Sequence, residues 1–152
     1  MENTGIINFE FECVDLLAAT APNRAGLRLG IQDKQLVKQD VPGTARAARF
    51  AFPLTVTISP TVIVFSGSYA QGTRDNRFVY LSWGAWTADS SGGSGEWKIT
   101  GRVKVLLNGI SRELIENALQ THKPIRARIR LTNDKGQPIT ASLKPEYIDW
   151  SG

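Results

Sequence analysis

The chain has 152 residues, 41% hydrophobic and 21% charged, with a formal net charge of +4. That length fits one domain whose core can stand without staples, and no apolar run reaches the ~20 residues that cross a bilayer as a helix. A single cysteine excludes an internal disulfide framework, and the first residues carry neither a basic nor an apolar leader, so a cytoplasmic protein without membrane insertion is expected.

Along the chain the periodicity is mostly two, the signature of strands with one buried face. Phe9, Phe11 and Cys13 alternate with Glu10 and Glu12 in a half-buried first strand, which makes Cys13 a small buried hydrophobe. "TAPNRAG" is a loop by composition, "LRLGIQ" places Leu27, Leu29 and Ile31 on one face, and "QLVKQD" returns as a short partner. "ARFAFPLTVTI" is the longest alternation, with Phe50, Phe52, Leu54, Val56 and Ile58 together; Pro53 removes a ladder donor and places the strand at an edge or a bulge.

After Ser59-Pro60, "TVIVF" is β-branched, and the loop "GSYAQGTRDN" leads into "RFVYLSW". Arg77, Val79, Leu81 and Trp83 then point one way and Phe78, Tyr80 and Ser82 the other, as in a central strand covered on both faces. The Gly/Ser-rich stretch 87–96 reads as a mobile loop tip. A strand follows from Trp97 through Ile99, Val103, Val105 and Leu107 to the Asn108-Gly109 turn.

One helix is expected near 112–121, with Ser111 as N-cap, Glu113 in the first turn, and Leu114, Ile115, Ala118 and Leu119 on its apolar face. The last hairpin, "IRARIRLTNDKGQPITASL", turns at Asp134-Lys135-Gly136, and "PEYIDW" adds an edge strand or docks Tyr147 and Trp150 on the body. These short strands and one helix specify a mainly β, single-domain antiparallel β-sandwich or open barrel, the helix closing an end or covering an edge.

Chemistry-bearing motifs are sparse. His122 follows the helix and reads as a solvated helix end; Cys13 has no neighbouring base to make it a thiolate. No cluster has metal-ligand spacing, no Gly-x-Ser-x-Gly elbow occurs, and no Gly-rich loop precedes a helix, so neither catalytic residues nor a metal nor a cofactor is assigned. Carboxylate-only acid–base chemistry is the enzyme reading that stays open.

Two constellations suit binding. Gln71, Arg74, Arg77 and Tyr80 could converge near one end of a sheet, with Trp83 and Trp86 at the other. An arginine fork with amide and phenol donors suits the carboxylate or phosphate of an anionic small molecule. The alternative is that Asp75 pairs with Arg74 or Arg77 and the tryptophans fill core. The second constellation is basic. Arg126, Arg128 and Arg130 share one strand face at intervals of about 6.8 Å, and Arg102 and Lys104 repeat the pattern.

Were those two strands neighbours, five cations would share a face fit for nucleic acid or for docking on a larger protein assembly, aided by exposed Tyr147 and Trp150. Against nucleic acid stands the lack of outward aromatics on either basic strand. Glu10 and Glu12 could instead form a cross-strand charge ladder with the arginines.

"IQDK" at 31–34, "FSGSYAQG" at 65–72 and "RFVYLSWG" at 77–84, with "ISRELI" from Ile110, resemble an uncharacterised bacterial family of small β-rich proteins, a domain of unknown function. The likeness covers roughly the middle half of the chain. It implies a bacterial single-domain protein and brings no activity, substrate or cofactor.

Overall fold

The computed structural model describes residues 2–14, 27–31, 34–35, 47–73, 76–87, 96–137, 139, 143 and 145–152. The first alternation forms β1 (Asn3–Val14), and its odd residues Ile7, Phe9, Phe11 and Cys13 are buried. "LRLGI" is β2 (Leu27–Ile31), paired with the two-residue β3 (Lys34–Gln35), so the expected return strand is present where it can be described; the rest of "QLVKQD" lies outside the described residues.

β4 (Ala47–Ile58) runs antiparallel to β1 over its whole length. On its other side β5 (Ile63–Ser66) pairs only with Thr55–Ile58, so Pro53 sits beyond the end of β5. The strand is internal at its C-terminal end and open at Pro53, which is how a residue without a donor is tolerated there. Next come β6 (Gln71–Thr73), β7 (Asn76–Thr87) and β8 (Glu96–Leu106). Thr87 and Glu96 face each other in register, and the Gly/Ser stretch between them lies outside the described residues.

The helix α1 (Arg112–Thr121) begins where the sequence places it, with the Ser111 hydroxyl accepting the Leu114 N–H at 3.2 Å. His122 ends it in the left-handed region, its N–H donating to the Ala118 carbonyl at 2.9 Å. Leu119 lies against Gly5 at the start of β1, and Ile115 and Ala118 are buried, so the helix closes one end of the core. β9 (Ile125–Arg130) follows, and then the turn in which the Asn133 side chain accepts the N–H groups of Lys135 and Gln137. A 3-10 turn at Pro145–Tyr147 leads into β10 (Ile148–Ser151), the expected edge strand.

Two five-stranded sheets result. Sheet A has the order β10-β9-β1-β4-β5; in sheet B, β3-β2-β7-β6 form a path and β8 adds to the other edge of β7. Their inner faces share one hydrophobic core, from Phe9, Phe11, Phe52 and Ile125 of sheet A to Leu29, Leu81 and Val105 of sheet B. Among the described residues the protein is mainly β with one helix. One pairing departs from an all-antiparallel arrangement: β9 runs parallel to β1, Phe9 opposite Ile125 through Val14 opposite Arg130. The connection from β8 through α1 crosses the end of the sandwich and delivers β9 in that direction.

Candidate functional site

The two basic strands lie in different sheets. β9 carries Arg126, Arg128 and Arg130 on the outer face of sheet A, and β8 carries Arg102 and Lys104 on sheet B. The expectation of five cations on one surface is therefore corrected: alternation fixes which face a residue takes, but strand order decides which residues share it.

The sheet A face is electrostatically matched. Glu10 accepts from Arg126 at 2.9 Å, and Glu12 bridges Arg49 at 2.5 Å and Arg128 at 3.6 Å. These contacts follow from register, since Glu10 lies opposite Arg126 and Glu12 opposite both Arg49 and Arg128. Arg130 rests over the Tyr147 ring at 4.9 Å and donates to the Glu146 carbonyl at 3.3 Å. An open groove of about 620 Å³ crosses this face, but its cations already have carboxylates beside them. The charge-ladder alternative is what the structure forms.

The tail does not supply exposed aromatics. Tyr147 is buried, and Trp150 is half-buried with its ring 6.4 Å from Phe9 and 6.1 Å from Phe11. Both residues anchor β10 to the core, which corrects the reading of them as a docking surface.

The loop-and-strand constellation divides as well. Val79, Leu81 and Trp83 of β7 are buried in the core, and Arg77 shares their face. Its Nε is shut off from water with no hydrogen-bond partner among the described residues. Tyr80 points to the opposite, outer face, so Arg77 and Tyr80 do not converge, and Trp83 is core. Arg74 and Asp75 lie outside the described residues, as does the side chain of Trp86. Gln71 is exposed and pairs with Phe78 rather than Tyr80.

What the structure assembles instead is a mixed aromatic and cationic outer face on sheet B. In register, Gln71, Phe78 and Leu106 form one row, Tyr80 and Lys104 the next, and Gly30, Ser82 and Arg102 a third. The Phe78 and Tyr80 rings meet edge to face, centroids 5.0 Å apart. Lys104 Nζ lies 4.7 Å from the Phe78 centroid, and the Arg102 guanidinium lies 5.3 Å from that of Tyr80. Each cation thus reaches diagonally to a ring on the neighbouring strand, a contact worth about 0.5–1 kcal/mol at an exposed site. The Leu143 N–H donates to the Lys104 carbonyl at 3.0 Å, which ties down the outer edge of β8 at this point.

Neither Arg102 nor Lys104 has a carboxylate partner among the described residues, in contrast to Arg49, Arg126 and Arg128 of sheet A. Phe78 is the participant that sequence reasoning assigned to covered core. Its signal was present, because Phe78 and Tyr80 recur at i and i+2 as Arg102 and Lys104 do; only the adjacency of β7 and β8 was missing.

The remaining reactive groups are placed away from this face. His122 is exposed at the helix end, and among the described residues no group of three or more His, Cys, Asp or Glu could hold a metal ion. Burial, and secondarily the Glu12 charge, push the Cys13 thiol well above its ordinary range. A thiol reagent at pH 8 should accordingly leave Cys13 unmodified in the native protein and react promptly in denaturant; rapid native labelling, followed by absorbance, would show that β1 opens.

Comparison with curated proteins finds no match, and none is found among solved structures. A family match does exist, and it extends well past the middle half of the chain to take in β1, α1, β9 and β10. By that match over residues 7–152, the chain belongs to the family of unknown function DUF5990.

Proposed function

We propose that the protein is a non-catalytic binding module whose outer sheet B face holds an anionic ligand. The observation that carries this reading is the contrast between the two basic faces. Arg49, Arg126 and Arg128 of sheet A stand beside Glu10 and Glu12, and Arg130 lies over Tyr147 at the Glu146 carbonyl. Arg102 and Lys104 together rest instead on aromatic rings, with no carboxylate partner among the described residues. An incoming phosphate or carboxylate need displace no carboxylate of the described residues from Arg102 or Lys104, and charge-assisted hydrogen bonds to Arg102 would orient it. Gln71 adds an exposed amide at the end of the same face. Within this reading the module works as one domain in the bacterial cytoplasm, in keeping with its single cysteine.

Titration with inorganic pyrophosphate, followed by amide NMR shifts, tests the reading. Saturable shifts should cluster at 78–82 and 101–106. The Arg102→Gln/Lys104→Gln double variant should weaken binding roughly a hundredfold or more, because hydrogen bonds to charged groups contribute about 1.5–3 kcal/mol each. The control Arg126→Gln/Arg128→Gln should leave affinity nearly unchanged. Shifts centred on 125–130, or none at any attainable concentration, would overturn it.

A further inference from the structure

We infer that the ligand of this face is single-stranded nucleic acid; the inference rests on the anion-binding reading above and specifies it. The argument is a match of repeating units. Along β7 a ring recurs every second residue at Phe78 and Tyr80, and along β8 a cation recurs every second residue at Arg102 and Lys104. The strand rise spaces the backbone positions of both repeats at roughly 6.8 Å, and the ring centroids themselves lie 5.0 Å apart. Each unit of the face thus offers one ring beside one positive charge, and it occurs twice. A nucleic-acid strand is a polymer whose unit is one planar base and one negative charge. Stacking platforms interleaved with basic groups are the means by which single strands are held without sequence preference.

Two further observations narrow the choice. The face is open along its first two rows: Gln71 is exposed and Phe78, Tyr80 and Lys104 are half-buried, with exposed Arg102 at the end of this strip. Gly30 and Ser82 of the third row are buried, and the groove of sheet A lies on the opposite side of the sandwich. An isolated small molecule usually takes a concave pocket that covers most of its surface, whereas a strand gathers affinity from several weak, exposed contacts. The rings also discriminate among polyanions. An acidic protein surface would use Arg102 and Lys104 and leave Phe78 and Tyr80 idle; a duplex hides the faces of its bases. In the unliganded protein the cations cover the rings, at 4.7 Å for Lys104 on Phe78 and 5.3 Å for Arg102 on Tyr80. On binding, a base takes each ring face and the displaced cation turns to the adjacent phosphate.

The test is fluorescence anisotropy of a labelled single-stranded oligonucleotide of about 12 nucleotides, beside its duplex, a polyglutamate and inorganic pyrophosphate. The single strand should bind more tightly than duplex or polyglutamate, and two phosphate contacts should give a log–log salt slope of about −1.4. Phe78→Leu/Tyr80→Leu should weaken oligonucleotide binding roughly thirtyfold or more, the loss expected for two stacked bases, while pyrophosphate shifts persist.

Pyrophosphate binding at the face without oligonucleotide binding would overturn this inference and leave the anion-binding reading standing. Oligonucleotide and polyglutamate binding that are equal and indifferent to the rings would overturn it too, in favour of an acidic protein partner. Failure of every probe would remove both. Should the leucine variants not fold, amide shifts of the native protein decide: oligonucleotide must perturb 78–80 and 102–104, and shifts confined elsewhere reject the site.

Discussion

Gly84→Ala should destabilise the protein by about 3 kcal/mol or more, the upper end of what inserting atoms into a packed interior costs. Between Trp83 and Gly84 the β7–β8 ladder slips: Trp83 faces Gly101 but Gly84 faces Ile99, so Thr100 has no partner and β8 carries the extra residue of a bulge. The bulge draws the Lys98 carbonyl onto Gly84, so an added Cβ would collide with that oxygen and lie 2.8 Å from the Ile99 Cα. Both obstacles are backbone, and no rotamer change relieves them. Gly101 is constrained differently, because a Cβ there would fall 2.5–2.6 Å from the buried Trp83 indole.

The two glycines are thus separable by urea denaturation. Trp83→Leu should recover part of the loss in a Gly101→Ala background and none in a Gly84→Ala background, a coupling that a double-mutant cycle isolates. A Gly84→Ala protein with an unchanged midpoint would mean the bulge is absent in solution. The same slip bears on the proposed ligand face, since the register from Phe78 to Ser82 depends on the irregularity being confined to Trp83/Gly84.

Elements governed by local rules were legible in the chain. The helix could be placed to within a residue because capping chemistry and apolar spacing coincide at Ser111–Thr121. Glu10 and Glu12, alternating with Phe9 and Phe11, announced both the buried face of β1 and the ion pairs on its other side. Strand adjacency was not legible, because it is set by pairings between residues far apart in the chain. Nothing near Arg126 shows that β9 will lie parallel to β1, or that Arg102 will reach over Tyr80 rather than join the arginine stripe.

Phe78 and Tyr80 misled for a related reason. Apolar residues on both faces of "RFVYLSW" suggest two buried faces; the outer one is indeed buried at Ser82, but at Phe78 and Tyr80 it is half-buried beneath the long side chains of Arg102 and Lys104. Such chains can shelter apolar surface while keeping their charges wet. The candidate site was therefore half visible: Gln71, Tyr80, Arg102 and Lys104 were singled out, but in two groups that only the β7–β8 pairing joins.

Phe9→Ala is expected to cost about 3–5 kcal/mol, the range for deleting a fully buried phenylalanine. Phe9 has no exposed surface and sits against all four other strands of sheet A. Its ring lies 5.9 Å from Phe52 of β4, 6.5 Å from Phe65 of β5 and 6.4 Å from Trp150 of β10, while Ile125 of β9 is its parallel partner. Truncation leaves a cavity lined by aromatic rings, which are too rigid to collapse into it, so the loss should fall at the upper end of the range. The proposed ligand face lies on sheet B, across the core, and shares none of these contacts. Phe9→Ala, studied at a temperature where it remains folded, should therefore lower the denaturation midpoint and keep its affinity for pyrophosphate. A loss of affinity in parallel with stability would mean instead that the two sheets do not act independently, and that the ring-and-cation rows of β7 and β8 are held in place from the far side of the core.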